Sequence, residues 1–233
     1  MQELKFKPEN IDLTLLEQCG YKYNFLRGEK SYNGVGIFSK IALQDSFQQD
    51  FGGNNQARHI AVNFKYNNKT FELHNFYVPA GGDEPDVVAN PKYAHKLKFV
   101  EDMAEYFANK PKDKNIIIVG DLNIAPLEQD VWSHKQLLKV ISHTEAEVSR
   151  FNKFLESYDF VDCPRLFVDN SEKLYSWWSY RNRDWKKSNR GRRLDHIICS
   201  PSLKNSVTGY DINSSVRDWQ KPSDHVPVTV YFN

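Results

Sequence analysis

The chain has 233 residues, with 31 Lys and Arg against 30 Asp and Glu, and its net charge of +1 excludes a global field that draws it to nucleic acid or membrane. Cys19, Cys163 and Cys199 lie outside any CxxC pattern, which excludes a disulfide framework or a zinc knuckle and favours a reducing compartment. Neither a signal segment nor a stretch long enough to span a membrane is present. We therefore expect one soluble, monomeric, cytoplasmic domain covering residues 1–233.

Taken in chain order, the hydrophobic pattern alternates between short strands and a few helices. Helical spacing predicts helices over residues 8–19, 91–107 and 145–158. Short apolar or alternating runs predict strands over residues 21–26, 34–39, 60–66, 70–78, 116–119, 175–180, 193–200, 209–212 and 226–232. Asn67-Asn68 joins two of these strands as a hairpin. Such a mixture favours a mixed α/β domain with two packed sheets over a doubly wound parallel sheet.

The segment NIIIVGDLNIAP, residues 115–126, combines a buried strand with polar groups at its end. Its apolar run does not alternate, which is typical of a strand covered on both faces in the middle of a sheet. Asp121 and Asn123 follow directly, at the kind of strand end where ligand and catalytic groups gather. Asp and Asn at such a position also suit a helix cap or an Asx-turn. Taken alone, the segment leaves both interpretations open.

Further polar side chains lie at or near the ends of other predicted strands. They are Glu3, Asn75, Tyr77, Asp195, His196, Asp224 and His225. A histidine is poised as a general base when a carboxylate orients its ring. Neighbours on a strand point to opposite faces, so the candidate partner of His225 is Asp195 rather than the adjacent Asp224. The alternatives are that Asp224 and His225 are only turn residues and that His196 is structural.

The polar residues suit an oxygen-coordinated metal rather than zinc. The sequence has neither an HExxH motif nor a cluster of His and Cys. Carboxylate and amide oxygens favour Mg²⁺ or Mn²⁺, ions that neutralise phosphate charge during hydrolysis. Carboxylates, an Asp/His pair and Asn and Tyr donors together indicate hydrolysis of a phosphodiester or phosphomonoester by activated water.

A local basic stretch, RNRDWKKSNRGRR at residues 181–193, carries seven basic residues and one acid. It contains Arg181, Arg190 and Arg192, and it follows the tryptophan pair Trp177-Trp178. Basic residues interleaved with aromatics are typical of contacts to a nucleic-acid backbone with stacking. The alternative is a solvated loop whose tryptophans belong to the core.

Six segments together carry a family resemblance: QELK, NFYVP, GDLNIAP, YSWWSYR, RGRRLDHI and PSDHVPV. With these segments the chain resembles the exonuclease III family of abasic-site endonucleases, within the endonuclease/exonuclease/phosphatase superfamily. The resemblance implies an α/β fold, a four-layer α-β-β-α sandwich of two packed mixed β-sheets with outer helices. It implies an enzyme dependent on Mg²⁺ or Mn²⁺ that cuts double-stranded DNA 5′ to abasic sites. It also implies 3′→5′ exonuclease and 3′-phosphatase activities, and hence 3′-blocked DNA as a further partner.

The resemblance also implies roles for individual residues. The implied catalytic residues are Tyr77, Asp121, Asn123, Asp195 and His225. The implied metal-binding residues are Glu3, Asp121, Asn123, Asp224 and His225. Trp177 and Leu194 match positions that line a pocket for the flipped-out abasic sugar, and Arg181, Arg190 and Arg192 are implied to contact DNA.

Three departures accompany the resemblance. Arg192 stands where some relatives carry a tryptophan wall, and Ala80 stands where many carry Asn or Gln. The chain begins two residues before Glu3, whereas the family pattern begins with a strand, a helix and a second strand that ends at this glutamate. Two other readings therefore stay open: a catalytically impaired remnant that still binds DNA, and a superfamily phosphatase or lipid phosphodiesterase that acts on a small phosphate ester. The basic stretch favours DNA.

Overall fold

The computed structural model describes residues 1–181 and 184–233, so Asn182 and Arg183 of the predicted basic stretch lie outside the described residues. The strands are β1 (Tyr23–Glu29), β2 (Tyr32–Ser39), β3 (Leu43–Phe47), β4 (His59–Tyr66), β5 (Lys69–Tyr77), β6 (Asn115–Asp121), β7 (Val161–Asp162), β8 (Trp177–Trp178), β9 (Gly191–Arg192), β10 (Asp195–Cys199), β11 (Val207–Ile212) and β12 (Val228–Phe232). The α-helices are α1 (Thr14–Gln18), α2 (Pro91–Ala108), α3 (His134–Leu137), α4 (Glu145–Ser157) and α5 (Trp185–Ser188). Short 3₁₀ turns lie at Pro8–Asn10, Glu128–Asp130, Pro164–Leu166, Pro201–Ser206 and Ser214–Asp218.

A six-stranded mixed sheet forms the centre of the molecule, in the order β3-β4-β5-β6-β10-β7. The pair β5–β6 is parallel and the other pairs are antiparallel. The predicted strand over residues 116–119 is β6, which lies inside this sheet. Its register places Tyr77 of β5 and Asp195 of β10 on either side of Asp121. Three polar residues from distant parts of the sequence therefore share one end of the sheet.

Helices α2 and α4 pack together and supply much of the core against this sheet. The amphipathic pattern predicted from Pro91 is confirmed, and Asn90 caps the helix by accepting hydrogen bonds from Lys92 N and Tyr93 N. The core between the helices and the sheet is rich in phenylalanine. It includes Phe76, Phe99, Phe107, Phe151 and Phe154, all at most 1% exposed. A core of this kind gives the strand ends a rigid support.

The second β layer consists of two antiparallel ribbons, β1–β2 and β11–β12. The ribbon β1–β2 contacts β4 and β5, and β12 contacts β10. The mixed α/β prediction with β layers and helices is confirmed. Within residues 1–181 and 184–233, no ladder joins the two ribbons.

Local predictions succeeded where the pattern was long and failed where it was short. The hairpin of β4 and β5 is confirmed, and both turn residues, Asn67 and Asn68, adopt the left-handed conformation that such turns need. The helix predicted over residues 8–19 is wrong as one element. It divides into a 3₁₀ turn and α1, neither of which buries a residue, and Leu15 is 69% exposed. Without a buried face, a short helix gains little from packing.

None of the helices in the described parts of the chain combines the length and apolarity that crossing a membrane requires.

Candidate active site

Asp121, Asp195 and His225 form the centre of the site. The register of β6 and β10 places the two aspartates side by side, and His225 comes from the loop before β12. The His225 Nδ1 lies 2.8 Å from Asp195 Oδ2, and its Nε2 lies 3.8 Å from Asp121 Oδ2. The ring is therefore held by one carboxylate and faces the other.

Asp195 is itself fixed by a serine that the sequence analysis did not identify. Ser176 Oγ donates to Asp195 Oδ2 at 2.6 Å and accepts from the backbone N–H groups of Leu194 and Asp195. Ser176 is fully buried. A small hydroxyl residue inside the aromatic segment YSWW was the available signal, because a buried hydroxyl needs partners.

The two carboxylates give His225 an unusual protonation state. Burial alone would lower the pKa of the imidazole, but Asp195 and Asp121 raise it to about 10. His225 is then protonated at neutral pH. This pKa argues against the general-base role predicted for His225 and favours a cationic hydrogen-bond donor.

Asp121 is buried at the centre of the site and is 3% exposed. Burial raises the pKa of its carboxyl to about 7, against the opposing effect of His225. Asn123 steadies it, donating from its backbone N–H to Oδ1 at 3.0 Å and from Nδ2 to Oδ2 at 2.9 Å. Asn123 adopts a left-handed φ of 52°, which asparagine tolerates better than most residues. The bond from Asn123 N to Asp121 Oδ1 is the Asx-turn that the sequence left open as an alternative, and both residues also line the cleft.

A buried ion pair supports Asn123 from the helical side. Lys96 Nζ donates to Asn123 O at 2.7 Å and to Ala80 O at 3.3 Å, and it forms a salt bridge with Glu147. Both charged side chains are fully buried. Burial lowers the pKa of Lys96, although Glu147 opposes this shift. The sequence signal, not used in the prediction, was a lysine on the apolar face of α2.

Glu3 and Tyr77 form a hydrogen-bonded pair in the same site as Asp121. The Tyr77 hydroxyl donates to Glu3 Oε1, and Lys5 Nζ lies 2.8 Å from Glu3 Oε2. Burial and the Glu3 carboxylate raise the pKa of Tyr77 far above its ordinary value, so the phenol stays a donor. Burial would raise the pKa of Glu3, but Lys5 and Tyr77 bring it below its ordinary value. Glu3 is therefore a carboxylate at neutral pH.

The hydrogen bonds of Asp224 and Asn75 position other parts of the protein around the site. Asp224 Oδ2 accepts a hydrogen bond from Trp177 Nε1 at 2.9 Å, so Asp224 orients the indole rather than His225. Asn75 donates to Met1 O and Gly36 O, both at 2.9 Å, and thereby fastens the N-terminal residues to β2. His196 is buried and lies 2.8 Å from Ile124 O, in agreement with its predicted structural role.

One cleft of about 580 Å³ brings nearly all the predicted site residues together. It is lined by Glu3, Tyr77, Asp121, Asn123, Trp177, Arg181, Arg190, Arg192, Leu194, Asp224 and His225, among others. Asp195 lines the adjoining cavity, which also contacts Asp121 and His225. The cleft has a carboxylate-rich end and an end of arginines and aromatics, with Arg192 over Trp177 at 5.4 Å and Arg190 over Trp132 at 4.6 Å.

The carboxylate-rich end fits a hard divalent cation. Potential ligand atoms of Asp121, Asp195 and His225 lie within 4.8 Å of one another, and while the His225 imidazole is protonated the carboxylate oxygens are the atoms available to a cation. Glu3 and Asp224 of the predicted metal set lie outside that cluster but line the same cleft, and Asn123 lines it too, with its Nδ2 2.9 Å from Asp121 Oδ2. A buried carboxylate with a raised pKa, as in Asp121, is stabilised by a nearby cation, and oxygen donors suit Mg²⁺ or Mn²⁺.

Replacing Asp195 by Asn is expected to move the pKa of His225 downward from about 10, because the principal opposing carboxylate is lost. Since the folded-state pKa exceeds the unfolded value, the pair stabilises the fold fully below pH ~6.5, and this stabilisation is lost as the pH rises through ~10. NMR titration of the metal-free protein measures the shift. His196, whose pKa burial lowers to about 4, is the internal control and should not move. An unchanged His225 titration would show that Asp195 does not set its charge.

A buried carboxylate, a phenolic donor and a carboxylate-supported imidazolium around one cleft define the site of a phosphate-ester hydrolase. Residues 1–225 match the family model described as "Endonuclease/Exonuclease/phosphatase family". The chain belongs to the endonuclease/exonuclease/phosphatase family, whose members depend on a divalent metal ion, and it is a hydrolytic enzyme.

Named relatives are similar over the whole chain. The chain is 28% identical to exodeoxyribonuclease III of Haemophilus influenzae, an alignment covering 100% of this chain and 88% of the relative. It is 29% identical to a DNA-(apurinic or apyrimidinic site) endonuclease of Dictyostelium discoideum, covering 99% of this chain and 61% of the relative.

Solved structures agree with this assignment. An AP endonuclease from Archaeoglobus fulgidus superposes with a TM-score of 0.89 at 28% identity, covering 100% of this chain and 87% of that one. A variant of the 3′ phosphatase NExo from Neisseria, bound to a product DNA hairpin, gives a TM-score of 0.87 at 26% identity, with coverage of 100% and 87%.

Proposed function

We propose that this chain is a DNA-repair phosphodiesterase that hydrolyses DNA 5′ to abasic sites, with 3′→5′ exonuclease and 3′-phosphatase activities. The observation that carries the proposal is the Asp121–His225–Asp195 arrangement at one end of a cleft whose other end is arginine- and aromatic-lined. The names of the relatives support it, since they are exonucleases, abasic-site endonucleases and a 3′ phosphatase. We also propose that residues 1–233 form one domain.

The hydrolysis adds the oxygen of water to phosphorus, breaks the bond from phosphorus to the 3′ oxygen, and returns a proton to that oxygen. Asp121, in which burial raises the pKa of the carboxyl in the metal-free protein, is the carboxylate we assign to accept a proton from the water. The His225 imidazolium is a donor that stabilises charge on the non-bridging oxygens, and the Tyr77 phenol is a second donor once its single O–H turns from Glu3 to the phosphate. Asn123 holds Asp121 in place.

Glu3 and Asp121 are the carboxylates we propose to hold Mg²⁺ or Mn²⁺, with Asn123, Asp224 and His225 beside them. The ion supplies neutralisation of charge on the phosphate. Arg181 and Arg190 lie in the same cleft, where their charges suit the flanking phosphates of double-stranded DNA. We thus assign phosphate-ester hydrolysis to the carboxylate-rich end of the cleft and DNA binding to its arginine-rich end.

The test is incision of a labelled duplex that carries one tetrahydrofuran abasic analogue. We expect a cut on its 5′ side with Mg²⁺ or Mn²⁺ and no cut with EDTA, and re-addition of the metal should restore the activity. The matched duplex without the analogue controls for non-specific cutting. Retained duplex binding without any metal-dependent cut would instead identify a DNA-binding remnant. Hydrolysis of an inositol phosphate but not DNA would identify a small-ester phosphatase.

A further inference from the structure

Arg58 is a buried arginine that lies directly beside Tyr77. It precedes β4, and Tyr77 ends β5, so the pairing of His59 with Phe76 brings the two residues opposite each other across the antiparallel pair. The backbone N–H of Tyr77 donates to Arg58 O at 2.8 Å, and Arg58 Nη1 donates to Tyr77 O at 3.2 Å. Arg58 is only 6% exposed. The main chain of the site tyrosine is therefore held by Arg58 from the neighbouring strand.

The Arg58 guanidinium also lies over the Tyr77 ring. Directly opposite residues of an antiparallel pair project to the same face, and the guanidinium carbon is 4.9 Å from the centre of the ring. Gln56 fixes the guanidinium, because Nε of Arg58 donates to its Oε1 at 2.5 Å. A planar cation in this position is attracted to the electron-rich face of the ring. Arg58 therefore holds the backbone and the ring of Tyr77, while Glu3 accepts from its hydroxyl.

The buried charge of Arg58 is compensated by aromatic rings. Within the part of the chain that the structure describes, Arg58 has no salt-bridge partner, and the nearby Glu29 accepts instead from Ala57 N. Burial of a cation without a counterion costs free energy. The rings of Tyr77 and Tyr32, at 4.9 and 5.8 Å from the guanidinium carbon, are the partners that offset this cost. The nearer of the two is the site tyrosine.

The same charge makes Tyr77 a better hydrogen-bond donor. Burial and the Glu3 carboxylate raise the pKa of Tyr77, and the positive charge of Arg58 opposes that rise. A hydroxyl that is more acidic donates a stronger hydrogen bond to an anion. During hydrolysis the O–H turns from Glu3 to the phosphate, where a preorganised donor stabilises the transition state. Arg58 remains in place throughout, because its contacts are to the backbone and the ring.

We infer that Arg58 is a positioning residue for the hydrolysis that acts through Tyr77: its guanidinium holds the phenol in place and strengthens the hydrogen bond that the phenol donates to the phosphate. The inference rests on the proposed function, in which Tyr77 is such a donor. In this role Arg58 contacts Tyr77 and not the substrate. Its loss should therefore slow the chemical step and leave DNA binding nearly unchanged.

The test is a double-mutant cycle of Arg58→Met and Tyr77→Phe on the duplex that carries one tetrahydrofuran analogue. We expect Arg58→Met alone to lower kcat about 10- to 100-fold, as for a weakened and misplaced donor, with KM changed less than about threefold. In the Tyr77→Phe background the same substitution should lower kcat less than about twofold, because the hydroxyl on which Arg58 acts is absent. A purely structural role of Arg58 would lower kcat by the same factor in both backgrounds, and that result would overturn the inference.

The matched control is Arg27→Met, because Arg27 is a neighbouring arginine of β1 whose Nη1 donates to His59 O at 3.4 Å, one residue from Arg58. It should keep kcat within about twofold of the unmodified protein. An equal loss of kcat in both arginine variants would attribute the effect to the start of β4 rather than to Tyr77, and would also overturn the inference.

A second variant keeps the cycle decisive if circular dichroism shows that Arg58→Met does not fold. Arg58→Lys then takes its place, because lysine keeps the charge but loses the planar contact with the ring, and the same dependence on the Tyr77 hydroxyl is expected. If the unmodified protein cleaves no abasic duplex, the proposed function fails by itself. The cycle is then measured on the phosphate ester that the protein does hydrolyse, so the two failures are distinct.

Discussion

Replacing Asp121 by Asn is expected to lower kcat for DNA cleavage by about 10³-fold or more, while the metal-free protein becomes more stable above neutral pH. The loss of rate follows because an amide neither accepts a proton from water nor holds a cation well, and proton transfer by a positioned group contributes about 10²–10⁴-fold. The gain in stability follows because ionising a buried carboxyl group without a nearby cation lowers the free energy of unfolding. The amide of Asn does not ionise and avoids this cost.

The raised pKa of Asp121 determines how the stability difference between the two proteins changes with pH. Burial raises the folded-state pKa of Asp121 to about 7, above its unfolded value of about 3.9. The contribution of Asp121 to stability is therefore present below pH ~3.9 and is lost as the pH rises through ~7. Asn has no such loss, so the stability advantage of the variant should grow between pH 4 and 8, to a few kcal/mol in order of magnitude.

Urea unfolding of the two metal-free proteins at pH 5 and pH 8 measures this difference, and single-turnover cleavage with Mg²⁺ measures the rate. Asp224→Asn is the matched control, because Asp224 is a cleft carboxylate for which no comparable burial exists. It should leave the pH dependence of stability nearly as in the unmodified protein. A D121N variant that is less stable at pH 8 than the unmodified protein would contradict the prediction.

The second large effect concerns the buried pair under Asn123. Lys96→Met is expected to destabilise the protein by about 3–5 kcal/mol, because Glu147 is then left as an uncompensated buried charge. It also removes the donor to Asn123 O and Ala80 O. Where the variant still folds, we expect slower cleavage, because the backbone that carries Asn123 loses its support.

The double variant Lys96→Met/Glu147→Gln separates charge from support. Glutamine keeps an oxygen that accepts from Ser142 N and Thr144 N, as Glu147 does, but carries no charge. Urea unfolding should show that the double variant regains part of the lost stability, while its kcat stays low. Equal stability of the single and double variants would mean that the ion pair is not the source of the loss. A wild-type kcat in the double variant would mean that Lys96 does not support Asn123.

The sequence predicted the elements whose pattern is long and regular. The apolar run before Asp121 is a central strand, and the hairpin ending at Tyr77 and the helix beginning at Pro91 are present. Elements held by tertiary contacts were harder to predict. β3 was not among the predicted strands, because its burial pattern is mostly exposed and gives little periodicity.

The candidate residues of the site were predictable in kind but not in their relations. Sequence reasoning selected Asp195 as the partner of His225, and the structure brings them within hydrogen-bond distance. It could not foresee that His225 is protonated at neutral pH, because a pKa depends on the distances to both carboxylates. Lys96 was missed for a similar reason, since its contact with Asn123 joins residues that are far apart in sequence.

Tyr77, Asp121 and Asp195 lie side by side on three neighbouring strands of the central sheet. The catalytic residues therefore meet only when β5, β6 and β10 pair in the correct register. Side chains alternate between the two faces of a sheet, so a slip of β10 by one residue would turn Asp195 away from Asp121 and place Leu194 or His196 beside it. A chain folded with such an error would have no carboxylate to orient His225, and Ile198 and Cys199 of β10 would turn away from the core clusters to which they belong. A molecule with a mispaired sheet would therefore not cut DNA. The specific activity of a preparation would report the fraction of molecules whose strands are correctly paired.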